Sequence, residues 1–278
     1  MTVVPGTLYV VASPLGNLAD LSERAVQTLR QVGLIAAEDT RRARILLSHV
    51  GARPKVYSYH AHSPAGRLDL LERSLVSGAD VALLTDAGTP TVSDPGSELV
   101  LRARAAGANV VPIPGPSAVA TALSVSGMPA DQYTFLGFLP RKGPARRRQL
   151  EAIAVSTWTV VVFEAANRLL RLLQDLSESC GPDRSGMVAR ELTKVHEELK
   201  CGNLADLAVY YQEHTPRGEV TVLIAGTEPV EPAVDAETVR RRAQALLAEG
   251  LSRKDVANRI AAEFSLPRRE VYRMVTEL

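Results

Sequence analysis

The sequence predicts an α/β protein: a parallel sheet covered by helices on both faces, a second α/β domain with a mixed sheet, and a small helical tail. Three observations carry this. Short apolar runs alternate strictly with stretches of helical period through the first 125 residues. Ser126-Gly127-Met128-Pro129 breaks that series, and a second set of apolar runs follows. Residues 226–236 then collect Pro229, Pro232 and three acids, as linkers do, before a purely helical pattern. The expected domains are therefore 1–125, 126–226 and 227–278.

The elements follow in order. Residues 7–12 are a first buried strand, and Ser13-Pro14-Leu15-Gly16-Asn17 is the tight loop after it. Leu18, Leu21, Ala25 and Leu29 recur at helical spacing. Residues 33–37 are a second strand ending in Glu38-Asp39-Thr40-Arg41-Arg42, with a helix to about His49. A third short strand, 55–59, stops before His60-Ala61-His62, and 65–76 is helical. Val81-Ala82-Leu83-Leu84 is short, continuous and apolar, as a strand buried on both faces must be. It runs into a loop from Asp86 to Ser93. Asp94 and Pro95 then read as the cap and first position of the next helix, which Gly107 closes. Residues 109–113 are a fifth strand, and Ser117 starts a helix to about Val125.

Beyond the break, strands are expected at 133–136, 158–163, 186–189 and 220–225, with helices at Leu169 to Leu176 and Leu204 to Tyr211. In the tail, Ser252 with Asp255 resembles a capping box and Pro267 opens a last helix. Val256, Ile260, Val271 and Met274 form its apolar stripe. Arg268, Arg269 and Arg273 give it the look of a helix-turn-helix, although a small appendage packed on the body or on a partner is the plainer reading.

Composition narrows the function classes. Hydrophobic residues are 46% of the 278 and charged residues 23%, enough to fill a globular core. The net charge of +1 excludes a simple polycation, so any nucleic-acid surface has to come from local patches. Cys180 and Cys201 make no metal or redox motif. No signal-peptide pattern opens the chain and no apolar run approaches the ~20 residues of a membrane span, so a soluble cytoplasmic protein is expected. Glycine-rich dinucleotide, phosphate-loop, nucleophile-elbow and zinc-protease signatures are all missing. His60 and His62 lack partners at ligand spacing, so no metal is expected.

Every polar loop of the first domain follows a strand, so Pro14, Glu38, His60, Asp86 and Ser117 gather on one rim, where open α/β sheets bind ligands. The Asp86–Ser93 loop carries a carboxylate and no Lys or Arg, which makes it a poor phosphate cradle. S-adenosylmethionine suits it better. The ribose diol has Asp86 to donate to, the adenine and zwitterion have backbone around Ala87, Gly88, Thr89, Ser117 and Ala118, and a sulfonium avoids cations.

Ordered blocks along the chain also carry a family resemblance. They include residues 6–17, Ala37-Glu38-Asp39-Thr40-Arg41, Thr85-Asp86-Ala87-Gly88-Thr89-Pro90, Ser93-Asp94-Pro95-Gly96 and Pro112-Ile113-Pro114-Gly115-Pro116-Ser117. Gly137-Phe138-Leu139-Pro140-Arg141-Lys142, Ala189-Arg190-Glu191-Leu192-Thr193-Lys194 and Arg217-Gly218-Glu219 continue them. Together they resemble the RsmI family, bacterial 16S ribosomal RNA 2′-O-methyltransferases of the tetrapyrrole-methylase fold (class III methyltransferases). The resemblance implies two α/β domains with S-adenosylmethionine in the cleft between them, a homodimer, and methylation of the cytidine 1402 ribose of small-subunit 16S rRNA. Two departures stand out. Thr91 occupies a position where the family commonly has glycine, and Glu164-Ala165-Ala166-Asn167-Arg168 replaces the usual Glu-Ser-Pro-His-Arg.

On this reading Pro14 and Leu15 wall the cofactor pocket, with Ala165 and Ala189 completing it from the second domain. A 2′-hydroxyl needs a base for its proton. Glu38 and Asp39 compete with Lys194 and Glu191 for that role, and the alternative for Glu38 and Asp39 is to cap the next helix and pair with Arg41 and Arg42. Arg41, Arg42, His60, Arg141, Lys142 and Arg190 are the expected substrate contacts, with Arg146, Arg147 and Arg148 extending the basic stretch toward RNA phosphates. Few exposed aromatics are evident, so backbone grip is expected over base stacking. The rival functions are methylation of a tetrapyrrole and a non-enzymatic nucleic-acid-binding module.

Overall fold

A computed structural model describes residues 4–228, 236–264 and 266–278. They fall into two compact units, Met1–Thr227 and Glu228–Leu278.

The first sheet contains β1 (Thr7–Val11), β2 (Leu34–Ala37), β3 (Lys55–Ser58), β4 (Val81–Leu84) and β5 (Asn109–Ile113). They run in the order β3-β2-β4-β1-β5, every pair parallel. Helices α1 (Glu23–Gln31), α2 (Thr40–Val50), α3 (Ala65–Val76) and α4 (Ser97–Ala105) make the crossovers, and α5 (Ala118–Ser126) leaves β5. Side chains alternate across a strand, so neighbouring residues of β4 serve different cores. Ala82 and Leu84 pack with Leu29, Leu46 and Leu47 of α1 and α2. Val81 and Leu83 pack with Leu71, Leu75 and Leu99 of α3 and α4. This is the doubly covered parallel sheet that the alternation of elements predicts.

The second sheet contains β6 (Tyr133–Phe138), β7 (Thr159–Ala165), β8 (Ser185–Arg190), β9 (Glu198–Asn203) and β10 (Glu219–Ile224), in the order β6-β7-β10-β8-β9. The β6–β7 pair is parallel and the others antiparallel, which is the expected mixed sheet. One face is covered by α6 (Pro144–Ala154), α7 (Leu169–Cys180) and α8 (Leu204–Glu213). The other face turns Val161, Met187, Ala189 and Leu223 against Leu15, Val119, Ala122 and Leu123 of the first half. The two sheets therefore share a core through α5 and the loop after β1.

Two elements depart from the sequence reading. Strand β9 has no strand signal, because it is a polar edge strand whose state is fixed by pairing with β8. Asp94 does not cap α4. That helix starts later, at Ser97, with Gly96 in the cap position and no side-chain cap bond. Asp94 is turned into a cavity instead, as described below.

In the second unit, α9 (Ala236–Ala248), α10 (Arg253–Glu263) and α11 (Arg268–Thr276) bury Leu246, Val256, Ile260, Val271 and Val275 together. Ser252 accepts the Asp255 N–H at 3.2 Å and its hydroxyl donates to the Asp255 carboxylate at 2.6 Å, so the expected pair caps α10 through the serine half of the capping box. Pro267 occupies the cap of α11, one position before its first turn. Most of the linker expected at 226–236 lies outside the described residues. Among the described residues no helix is long and apolar enough to cross a membrane.

Candidate active site

The C-terminal ends of β2 and β4, the start of α5 and the edge-to-centre strands of the second sheet enclose a cavity of about 400 Å³. The loops after β1 and β4 leave neighbouring strands and are tied by a two-way bridge. Ser13 N–H donates to Gly88 at 2.8 Å, and Gly88 N–H returns to Ser13 at 3.0 Å. Gly88 has φ +75°, a conformation glycine adopts at no steric cost. Thr89 Oγ1 donates to the Pro116 carbonyl at 3.3 Å and ties in the loop before α5. The bridges hold three loops of the first sheet as one wall.

Leu15, Glu38, Asp86, Ala87, Gly88, Thr89, Ser117, Ala118, Ala165 and Ala189 all line the cavity. Pro14 is buried but does not line it. The sequence reading missed Asp94, Glu164 and Glu219 among the acids, and Val92, Phe138 and Phe163 among the apolar lining. Asp94 was hidden behind its resemblance to a helix cap. Phe138 carried no periodic signal, since its exposure arises from a local irregularity in β6.

Several expected contacts stand elsewhere. Asp39 accepts the Arg41 N–H at 2.8 Å as the cap of α2 and pairs with the Arg41 guanidinium at 2.7 Å. Those bonds hold its carboxyl far below the usual carboxylate range, so it is the helix cap rather than a base. Lys194 Nζ is 2.9 Å from Glu191 and 3.1 Å from Glu219, outside the cavity lining. Its methylenes lie across Gly16, where a Cβ would overlap them, and the Asn17 N–H donates to Thr193 at 3.2 Å. Lys194 is therefore a strut between the two halves. Arg42 lies 3.6 Å from Asp86 within the first half and reaches across to Glu219 at 3.8 Å. His60 sits in an exposed turn, its N–H bonded to Ser63. Arg190 pairs with Glu198 at 3.2 Å. Arg141 and Lys142 line a different concavity of about 500 Å³ with Arg146, Arg147 and Arg171.

The ionisable side chains of the lining are all acids, with the cations Arg42, Lys194 and Arg168 paired to three of them from outside it. Glu38, Asp86, Asp94, Glu164 and Glu219 line the cavity, and no Lys, Arg or His does so among the described residues. Glu164 is 3% exposed and is paired with Arg168, while accepting the Ala165 N–H at 2.8 Å. Burial, then the Asp86 charge, raises the Glu38 carboxyl above its usual range. Burial, then Glu38, pushes Asp94 up to about 7 against a hydrogen bond from Thr85.

A raised carboxyl has a stability consequence. Between the ordinary aspartate range and about 7, the folded state holds a proton that the unfolded state has lost, so stability falls as pH rises through that window. A shift of this size corresponds to at most ~4 kcal/mol, which partial exposure reduces. Asp94→Asn is expected to be about 1–3 kcal/mol more stable than the parent at pH 8, with the gap closing below about pH 4. Urea midpoints across pH test this, and a pH-independent gap would refute it.

The loops on either side are strained. Among the described residues, the non-glycine positions with positive φ are Thr91 (72°), Ser93 (66°), Glu191 (52°) and Thr193 (66°). All four lie in the loops after β4 and β8, and such residues concentrate at functional sites. Thr91 is β-branched and costs most there. Thr91 thus takes a conformation that glycine would adopt freely. Thr91→Gly is expected to gain about 0.5–1 kcal/mol, the relief of ~1–2 kcal/mol less the entropy glycine loses on folding. Equal urea midpoints would argue against strain.

Comparison with known proteins fits this geometry. Residues 7–208 match the family model of Tetrapyrrole (Corrin/Porphyrin) Methylases. A "Ribosomal RNA small subunit methyltransferase I" from Synechocystis is 44% identical over 274 residues, 98% of each chain. The protein of that name from Xylella fastidiosa is 44% identical, covering 96% of this chain and 98% of its own. The one from Haemophilus influenzae is 38% identical, covering 98% and 97%. Among solved structures, a uroporphyrin-III C-methyltransferase from Thermus thermophilus complexed with S-adenosylhomocysteine has a TM-score of 0.57 at 19% identity, covering 78% of this chain and 97% of its own. A cobalt precorrin-4 methyltransferase has a TM-score of 0.62 at 15% identity, covering 79% and 94%. The two-sheet body with its loop-walled cavity therefore has the tetrapyrrole-methylase fold, and the chain belongs to the tetrapyrrole methylase family, within its ribosomal RNA small subunit methyltransferase I branch.

Proposed function

We propose that the protein transfers a methyl group from S-adenosylmethionine to a ribose 2′-hydroxyl of small-subunit ribosomal RNA, at the nucleotide equivalent to cytidine 1402 of 16S rRNA. The observation that carries the reading is a cavity lined by five carboxyl groups and no cationic side chain among the described residues. That lining fits a sulfonium and disfavours a free nucleotide phosphate. The start of α5 adds to the fit. Ser117 sits at its cap with the side chain unengaged, and amides of the first turn there suit a carboxylate.

When bound, the cofactor supplies an already activated electrophilic methyl group. The chain's own residues bind, orient and move a proton. Asp86 Oδ1 accepts the Asp39 N–H at 3.0 Å and Oδ2 is 3.6 Å from Arg42, so its carboxylate is fixed for a ribose diol. Gly88 lets backbone approach the ligand closely. Glu38, half-buried with a raised proton affinity, takes the 2′-hydroxyl proton. Arg42 neighbours it at the lip. Arg141, Lys142 and Arg147 offer exposed cations to phosphates.

The reading takes 1–125 and 126–226 as the two α/β domains, 227–278 as linker and tail, and a cytoplasmic homodimer as the working form. Its test is transfer of labelled methyl from S-adenosylmethionine to small subunits that lack the modification, beside porphyrinoid acceptors. Label in the RNA at that ribose is expected. Label in the porphyrinoid alone would refute the reading.

A further inference from the structure

The carboxylate-lined cavity has one feature that neither a sulfonium nor a ribose requires. Phe138 lines it yet is 53% exposed, and Val92, also in the lining, is 39% exposed. A large aromatic ring left open to water in the lining of a ligand cavity is placed to be covered by a planar, apolar part of a ligand. The backbone is arranged to keep it there. The β6–β7 register shifts between Phe135 and Gly137, an irregularity of the kind that re-aims a side chain. Gly137 takes φ +62°, and a Cβ at that position would come within 2.7 Å of Ser93 Oγ. Only glycine there lets the end of β6 meet the loop after β4. Phe163 stands edge-on to Phe138 at 5.7 Å and is itself backed by Phe135 at 4.9 Å, so the ring is braced.

Three residues beyond the ring, past buried Leu139 and half-buried Pro140, come exposed Arg141 and Lys142. Three extended residues reach at most about 10 Å, on the scale of neighbouring phosphates. One short segment thus presents an apolar face followed by two cations, which is the order in which an unpaired nucleotide presents its base and the adjoining backbone.

We propose that Phe138, with Val92 beside it, is the platform on which the base of the target nucleotide stacks once it has left its helix. The occupant is a nucleobase of RNA, and the inference rests on the ribose-methylation reading above. A recessed cavity cannot receive a ribose held within a duplex, so the nucleotide has to be turned out, and a stacking surface repays the unstacking. Phe138 acts as a substrate-positioning residue.

The experiment compares the parent with Phe138→Ala, Phe138→Leu and Phe138→Trp. Three quantities are measured: the Kd of S-adenosylhomocysteine by calorimetry, methyl-transfer kinetics on unmodified small subunits, and the fluorescence of an RNA fragment carrying 2-aminopurine next to the target. Loss of one base stack is worth roughly 5- to 100-fold. Ala and Leu are expected to lower kcat/KM by that factor with the Kd unchanged within twofold, Trp to restore it, and the fluorescence change on binding to shrink in Ala and Leu alone. The Leu variant keeps most of the apolar volume while removing the flat aromatic face, and guards against misfolding of the Ala variant. A Kd weakened tenfold would assign the ring to the cofactor's adenine and overturn the proposal. So would unchanged kcat/KM in both Ala and Leu. A parent enzyme that methylates no RNA would overturn the underlying reading instead.

Discussion

Glu38→Gln is expected to lower kcat by about 10²- to 10⁴-fold, the usual worth of a positioned general base. The Kd for S-adenosylhomocysteine should change little. The substitution keeps size and hydrogen-bonding reach while removing proton affinity. Glu38 meets the two conditions for the role. It lines the cavity from the end of β2, and burial with the neighbouring Asp86 charge raises its carboxyl toward the working pH. The parent's rate should climb with pH as this carboxyl ionises. Asp94 is the alternative acceptor, since it lines the same wall and is pushed up to about 7. If Glu38→Gln keeps kcat within threefold while Asp94→Asn loses it, the base is Asp94. Asp39 and Lys194 are not competitors. The first is committed to capping α2 and to Arg41, the second to Glu191 and Glu219.

Asp86→Ala is expected to weaken S-adenosylhomocysteine binding about 100-fold or more. A carboxylate that accepts two hydrogen bonds contributes ~1.5–3 kcal/mol for each. Alanine also strands the Asp39 N–H, which Asp86 accepts at 3.0 Å, and disturbs the start of α2. Asp86→Asn keeps an acceptor for that amide and isolates the loss of charge, with about a tenfold effect expected. Calorimetry on both variants separates positioning from direct contact. Unchanged affinity in Asp86→Ala would remove this residue from the cofactor site.

The two acids show where sequence reasoning succeeds and where it stops. Asp86 was legible because a buried strand, a polar turn and a glycine adjoin along the chain, and a parallel sheet sends every such turn to one edge. The same logic found Leu15, Ser117 and Ala118. Glu219 and Glu164 were not legible as cavity acids. They stand on β10 and β7, and the cavity exists only once the inner face of the second sheet packs on α5. Lys194 misled for the same reason. Its neighbours in sequence look like a reactive motif, but the packed structure lays its stem across Gly16.

The sequence by itself determined the layered α/β order, the parallel first sheet, the mixed second one, the helical tail with its serine-capped α10 and the small-residue wall of the cavity. These features follow from local periodicity and turn chemistry, which act within a few residues. The tertiary structure decided which carboxyl groups share a cavity, which of them have a raised proton affinity, and which cations are spent on struts and caps. Desolvation and charge–charge coupling depend on groups distant in the chain, as Asp94 demonstrates. Read along the chain it is a helix cap. Packed beside Glu38 and Asp86 it becomes a carboxyl poised near neutrality, and the helix begins without it.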